Sequence, residues 1–176
     1  ARYAIDGHFA WVPSNAKRGM PDWLDTKAPS LPKILQKAGY ATAHYGKWHL
    51  ANNMIPDSPI PAEYGYDEYG AFNCSGEQMP VHEDAMHTNA FIEKAVAAGK
   101  PFFVNPWVHE PHTPFDNVPK YEWRIREMES RTDGIYASDL SHADDRLGEV
   151  LNTLDRLKKN HKNRAILWTQ QGPARP

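Results

Sequence analysis

The chain is short of cysteine, of long apolar runs and of net charge. Cys74 is the only cysteine in 176 residues, so no intrachain disulfide can form and the redox compartment is unreadable. It sits in Asn73-Cys74-Ser75-Gly76 without a basic neighbour. A thiol with nothing to lower its pKa reads as a loop residue, not a nucleophile. No apolar stretch approaches the roughly 20 residues of a membrane-spanning helix, so no membrane span is expected. The formal net charge is −2, and the only adjacent basic pairs are Lys17-Arg18 and Lys158-Lys159. That scattered pattern gives no field to gather nucleic acid, and no nucleic-acid partner is expected. The sequence opens Ala1-Arg2-Tyr3, with neither methionine nor signal peptide, which leaves localisation unread.

What is present is punctuation. Fifteen prolines and eleven glycines divide the chain into short elements, with no repeat and no low-complexity tract. Residues 1–29 and 51–83 read as irregular. Ser30 suits a helix N-cap, with Pro32 in the first turn. Leu31, Ile34, Leu35 and Ala38 then give an apolar face, and Gly39 a natural stop. Residues 40–45 follow as a strand that opens into a loop at Gly46. A second helix is expected over residues 84–98, ended by Gly99. The apolar run Phe102-Phe103-Val104-Asn105 suits a buried strand. Residues 109–119 form a proline-broken loop. The third helix carries Ile135, Leu140, Ala143, Leu147, Val150, Leu151, Leu154 and Leu157 at helical spacing. Asp133 is its expected N-cap, and Lys158-Lys159 suit its C-terminal end. Residues 164–169 read as a last strand. Helices alternating with short buried strands imply an α/β fold, a mostly parallel sheet with helices on both faces. Ligands of such sheets bind beyond the carboxyl ends of the strands.

Those ends carry chemistry. Gly46-Lys47-Trp48-His49-Leu50 follows the first strand, His109-Glu110-Pro111-His112-Thr113-Pro114 the second, and Gln170-Gln171-Gly172-Pro173 the third. Lysine offers three donors and a compact charge to a tetrahedral oxyanion. Histidine donates a hydrogen bond or moves a proton near neutral pH. Together they suit an anionic ester whose leaving oxygen needs a proton. The plainer alternative is that each is solvated surface and that Trp48 simply packs inward at a strand end. Other groups read as structural. Asp144 and Asp145 face different ways on a helix. His82, Glu83, Asp84 and His87 are of metal-ligand type, but their i, i+4 or i, i+5 spacing reads more simply as the acidic start of the second helix. Trp107 and Trp123 are read as core or rim packing before sugar stacking.

Residues 31–50, LPKILQKAGYATAHYGKWHL, resemble the sulfatase segment in which a helix and strand lead into Gly-Lys-Trp-His-Leu. EYGYDEY over residues 63–69 resembles the same family's Gly-Phe-Asp stretch. PFFVNPWVHEPHTP over residues 101–114 is similar to its strand ending in Pro-His-Thr-Pro, and residues 136–157 to its long helix before the last metal-binding strand. The motifs occur in family order across about residues 28–173. The resemblance implies an alkaline-phosphatase-like domain, with residues 1–176 as part of the catalytic domain of a sulfuric ester hydrolase. It implies a formylglycine made from a cysteine or serine in Cys/Ser-x-Pro-x-Arg, beside a Ca²⁺ ion held by acidic and amide side chains. Carried over by position, Lys47 binds sulfate and helps the leaving oxygen. His49 approaches the formylglycine hydroxyl and assists sulfate release. His112 binds sulfate and favours protonation of the leaving alcohol. The substrate is a sulfated small molecule or glycan. Family members are often secreted, periplasmic or lysosomal.

Three departures shape the expectation. No Cys/Ser-x-Pro-x-Arg occurs, and Ala1-Arg2-Tyr3 resembles the Gly-Arg-Tyr that follows that motif. The family's earlier Asp-Asp metal ligands have no counterpart. Its Ser-Asp-Asn-Gly appears as Thr169-Gln170-Gln171-Gly172, which carries no charge for a hard cation. This chain by itself is therefore expected to bind Ca²⁺ weakly or not at all and to be catalytically incomplete, with no metal ligand assigned. Two alternatives stand beside it. One is a phosphoesterase or phosphonate hydrolase of the same superfamily. The other is a non-catalytic remnant that binds an anion or glycan. The sequence does not name the sulfate ester or the oligomeric state.

Overall fold

A computed structural model of the chain describes residues 12–51, 53–112, 114–115 and 117–157. The expected strand over residues 164–169, together with Lys158, Lys159, Gln170 and Gln171, lies outside the described residues. The chain divides into two compact units, Ala1–Trp107 and Val108–Pro176.

The first unit is built on a parallel sheet of β1 (Ala41–Gly46), β2 (Glu68–Ala71) and β3 (Phe102–Trp107), in the order β2-β1-β3. The central strand pairs Ala43 with both Glu68 and Val104, and His44 with both Tyr69 and Asn105. Alternation along β1 sends its side chains to two different layers. Ala43 and Tyr45 join Met79, Phe91, Phe102 and Val104 in one apolar cluster. Phe91 belongs to helix α3 (Asp84–Ala97), which packs against β1 and β3. The opposite layer gathers Trp48, Tyr64, Tyr66 and Phe103. Trp48 and Tyr64 are each only 1% exposed, a burial that stabilises by about 2–3 kcal/mol per side chain. Helix α2 (Leu31–Lys37) precedes β1, and helix α1 (Val12–Arg18) precedes α2.

Asp67 ties β2 to the start of β1. Its carboxylate accepts from the Thr42 amide at 3.0 Å and from Gln36 at 2.6 Å. Burial alone would raise its pKa, but these hydrogen bonds and the nearby charge of Lys100 hold it below the ordinary value. The Gly-Tyr-Asp stretch is thus a strand-joining device.

Several expectations for this unit are corrected. Residues 12–18 are helical, not irregular. The supposed loop over 51–83 contains a 3-10 turn, Pro61–Tyr64, and strand β2. Four residues with a charged start carry too weak a period to announce a strand, and only pairing with β1 makes it one. Ser30 does precede α2, but its hydroxyl does not cap the helix; it donates to Tyr64 O at 2.8 Å. The expected apolar face of α2 is not its buried face. Leu31 and Ile34 are 56% and 57% exposed, while Pro32 is buried. The second helix and the strand after it stand where expected, with β3 running on to Trp107.

The second unit is a helical pair. Short α4 (Glu122–Glu127) follows a 3-10 turn, Pro119–Tyr121, and packs on the 26-residue α5 (Arg131–Arg156). Gly134 permits their approach, since a Cβ there would lie 2.4 Å from Ile125 Cα. Arg124 donates to Ser141 at 3.2 Å, and Asp145 bonds Lys120 and Tyr121. Asp145 is therefore structural, as the sequence suggested. The N-cap is Ser130, whose hydroxyl accepts from Asp133 N at 3.4 Å, and not Asp133. Asp133 lies inside the first turn, where its charge suits the dipole. Leu140 and Leu151 are exposed, while Ser138, Asp139 and Arg146 are buried, so polar residues take part of the expected apolar face.

Candidate active site

β1 ends in a tightly specified bend. Gly46 has φ +108°, and a Cβ there would meet Trp107 O at 2.1 Å. Only glycine lets the backbone turn this close to β3. Lys47 N then donates to Trp107 O at 2.7 Å. Lys47 O accepts from His44 Nε2 at 2.9 Å, and the Asn105 amide donates to His44 Nδ1 at 3.1 Å. This pattern suits a neutral imidazole with its proton on Nε2. Burial pushes the His44 pKa down to about 4, opposed by the hydrogen bond to Lys47 O. Trp48 N donates to Asn73 Oδ1 at 2.7 Å, and Asn73 Nδ2 donates to Trp48 O. The backbone N–H and C=O groups of Lys47 and Trp48 are thereby held by Trp107, His44 and Asn73.

The result is a buried lysine at the carboxyl edge of the sheet. Lys47 is 7% exposed, and burial lowers its pKa. Among the described residues no carboxylate pairs with its ammonium. A desolvated cation in that state is relieved by an anion. Trp48 fills the core, and His49, half-buried, follows it.

In the second unit, His109, Glu110 and His112 share one turn, with His112 N donating to His109 O at 3.1 Å. The two imidazoles lie 5.4 Å apart between centroids, and His112 is exposed. Glu110 is buried, with Arg146 Nη2 at 2.5 Å from its Oε2 and His142 Nδ1 at 3.8 Å from its Oε1. Sequence reasoning named Lys47, His49 and His112 but passed over His44, Asn73, Glu110 and Arg146. Asn73 lies in a loop with no sequence period to mark it. Asp139, His142 and Arg146 recur at helical spacing on α5, which was a legible sign of a buried polar stripe.

The remaining candidates are quiet. The Cys74 thiol is fully buried near Ala71 O and Glu77 O, and burial pushes its pKa up to about 11. Glu83 and His87 pair at 3.5 Å across one helical turn. Trp123 is exposed, with the Arg124 guanidinium 4.1 Å from its ring centroid.

A parallel sheet flanked by helices, with its polar loops at the carboxyl edge, is part of an α/β domain of the alkaline-phosphatase-like fold. The structure of Ps i-CgsB in complex with k-i-k-neocarrahexaose matches with a TM-score of 0.66 at 19% identity, covering 78% of this chain and 38% of that one. Sulfatase-type yidJ from Bacteroides fragilis matches with a TM-score of 0.65 at 16% identity, covering 82% and 43%. The sulfatase family profile matches residues 9–163, and the chain belongs to the sulfatase family. An ulvan-active sulfatase of Formosa agariphila is 23% identical over 85% of this chain and 36% of its own length. Human N-acetylgalactosamine-6-sulfatase is 25% identical over 88% of this chain and 34% of its own length. The chain thus spans about a third of the length of these relatives.

Proposed function

We propose that these residues form part of a sulfuric ester hydrolase acting on a sulfated glycan. The observation that carries this reading is Lys47, buried at the carboxyl edge of the sheet with no carboxylate paired to it among the described residues. Its backbone is fixed in place by the bend at Gly46 and the hydrogen bonds on Lys47 and Trp48. A sulfate monoanion meets both needs of such a group, charge and hydrogen-bond acceptors. The glycan class is supported by the ulvan-active and N-acetylgalactosamine-6-sulfatase relatives and by the oligosaccharide-bound neighbour.

In this reading Lys47 binds a sulfate oxygen and stabilises charge on the leaving oxygen. His49 assists release of sulfate. His112 binds sulfate and favours protonation of the leaving alcohol. Donors already oriented before reaction stabilise developing charge strongly. β1 and β3 are parallel neighbours, so the chain leaves both at one sheet edge, and this supports the assignment. The family's calcium fits poorly. The positions that resemble its ligands, Gln170 and Gln171, offer two amides and no carboxylate. The reading therefore gives calcium no role in these residues.

The test compares sulfate and phosphate monoesters of one aryl alcohol, using full-length protein that contains this chain. Turnover of the sulfate ester that falls by about 100-fold or more in Lys47→Ala supports the proposal. Preference for the phosphate ester, or turnover unchanged by Lys47→Ala, overturns it.

A further inference from the structure

We propose that Glu110 and Arg146 form a strut that positions His109 and His112, an inference that rests on the sulfate-ester reading above. The second unit supplies all of its parts. The Glu110 side chain is fully buried and that of Arg146 only 5% exposed, with 2.5 Å between Nη2 and Oε2. A buried carboxylate is tolerated because a cation meets it, and removing that cation leaves an uncompensated charge. Glu110 sits between the two histidines in a single turn closed by the His112 N to His109 O bond. A shift of Glu110 is therefore passed through this turn to the backbone of both histidines.

The other end of the strut is rigid. Arg146 projects from the interior of α5, which is braced by α4 through Gly134 and by Lys120 and Tyr121 through Asp145. His142 stands one turn before Arg146, with Nδ1 3.8 Å from the second carboxylate oxygen. Glu110 thus meets Arg146 through Oε2 in a charge-assisted hydrogen bond, while its Oε1 faces the His142 ring on the same helix. An exposed histidine such as His112 gains a defined orientation from this buried neighbour. Arg146 and Glu110 are positioning residues here, acting through the turn and not on the ester.

The experiment uses full-length protein with Arg146→Met, Arg146→Lys, Glu110→Gln and the double variant Glu110→Gln/Arg146→Met. Histidine ring resonances and turnover of an aryl sulfate are read together with thermal midpoints. Arg146→Met should shift the His109 and His112 resonances, leave His44 and His87 unchanged, and lower kcat by about 100-fold, as displaced groups typically do. Arg146→Lys should restore part of both. The double variant, which buries no unpaired charge, should recover the thermal midpoint without recovering kcat. Unmoved His109 and His112 resonances in Arg146→Met, or a double variant that recovers kcat with stability, would overturn the strut. Lys47→Ala in the same assay separates the two readings. If its turnover is normal the sulfate-ester site is wrong, whereas the resonances judge the strut by themselves.

Discussion

Asn73 holds Trp48 by both of its backbone polar groups, accepting from its N–H at 2.7 Å and donating to its carbonyl. One side-chain amide thereby does for Trp48 what a neighbouring strand would do, just past the end of β1. Trp48 lies between Lys47 and His49, so the geometry of both depends on a loop residue 25 positions away in sequence.

Replacing Asn73 by alanine should remove both bonds and leave two peptide groups near the core unsatisfied. A loss of about 2 kcal/mol is expected, read as a lower urea midpoint with an unchanged slope. Asn73→Asp keeps only the acceptor and should fall between the two. An alanine variant as stable as the parent would show that solvent replaces the clamp.

His44 makes stability depend on acid. Its folded pKa of about 4 lies below the ordinary 6.5 because burial disfavours the charged ring. The unfolded chain therefore binds the extra proton first. His44 stability is complete above about pH 6.5 and is lost as pH falls from there toward about 4. Over that window the loss is about 3 kcal/mol. His44→Gln should flatten this part of the stability profile, since glutamine does not titrate. Denaturant midpoints measured from pH 7.5 to 4 in both proteins decide the matter, and parallel profiles would refute the assignment.

Gly46→Ala places a Cβ 2.1 Å from Trp107 O at a φ of +108°. β1 and β3 cannot both keep their register, and destabilisation beyond about 3 kcal/mol is expected. The control is Gly99→Ala, which has positive φ but no atom within 4 Å of the added Cβ. It should suffer far less in the same thermal unfolding experiment.

Lys47 should set an alkaline limit to anion binding. Burial lowers its pKa, so its charge is lost at lower pH than that of a free lysine. Affinity for sulfate, measured by calorimetry on full-length protein, should fall as pH rises through that lowered value. Lys47→Arg should push the fall to higher pH, because guanidinium stays charged. An alkaline limb that does not move would assign it to another group.

Residue order by itself determined the parts whose signals are local. The apolar run before Asn105, the helical spacing along α5 and the glycine stops at Gly39 and Gly99 are properties of neighbouring residues. So are Lys47, His49 and His112 as candidates, since each stands just after a strand or in a short motif. Tertiary structure decided the rest, because the deciding contact lies elsewhere in the chain. Glu68–Ala71 becomes a strand only through pairing with β1. Leu31 and Ile34 point outward because Pro32 is the residue buried in α2, which an i, i+3 pattern does not reveal. Ser30 gives its hydroxyl to Tyr64 instead of its own helix. Asn73 carries no local mark of importance, and the helical spacing that puts Arg146 in a polar stripe does not say what it meets. Each matters because folding brings its polar atoms to a buried group, Trp48 in one case and Glu110 in the other, which water no longer reaches.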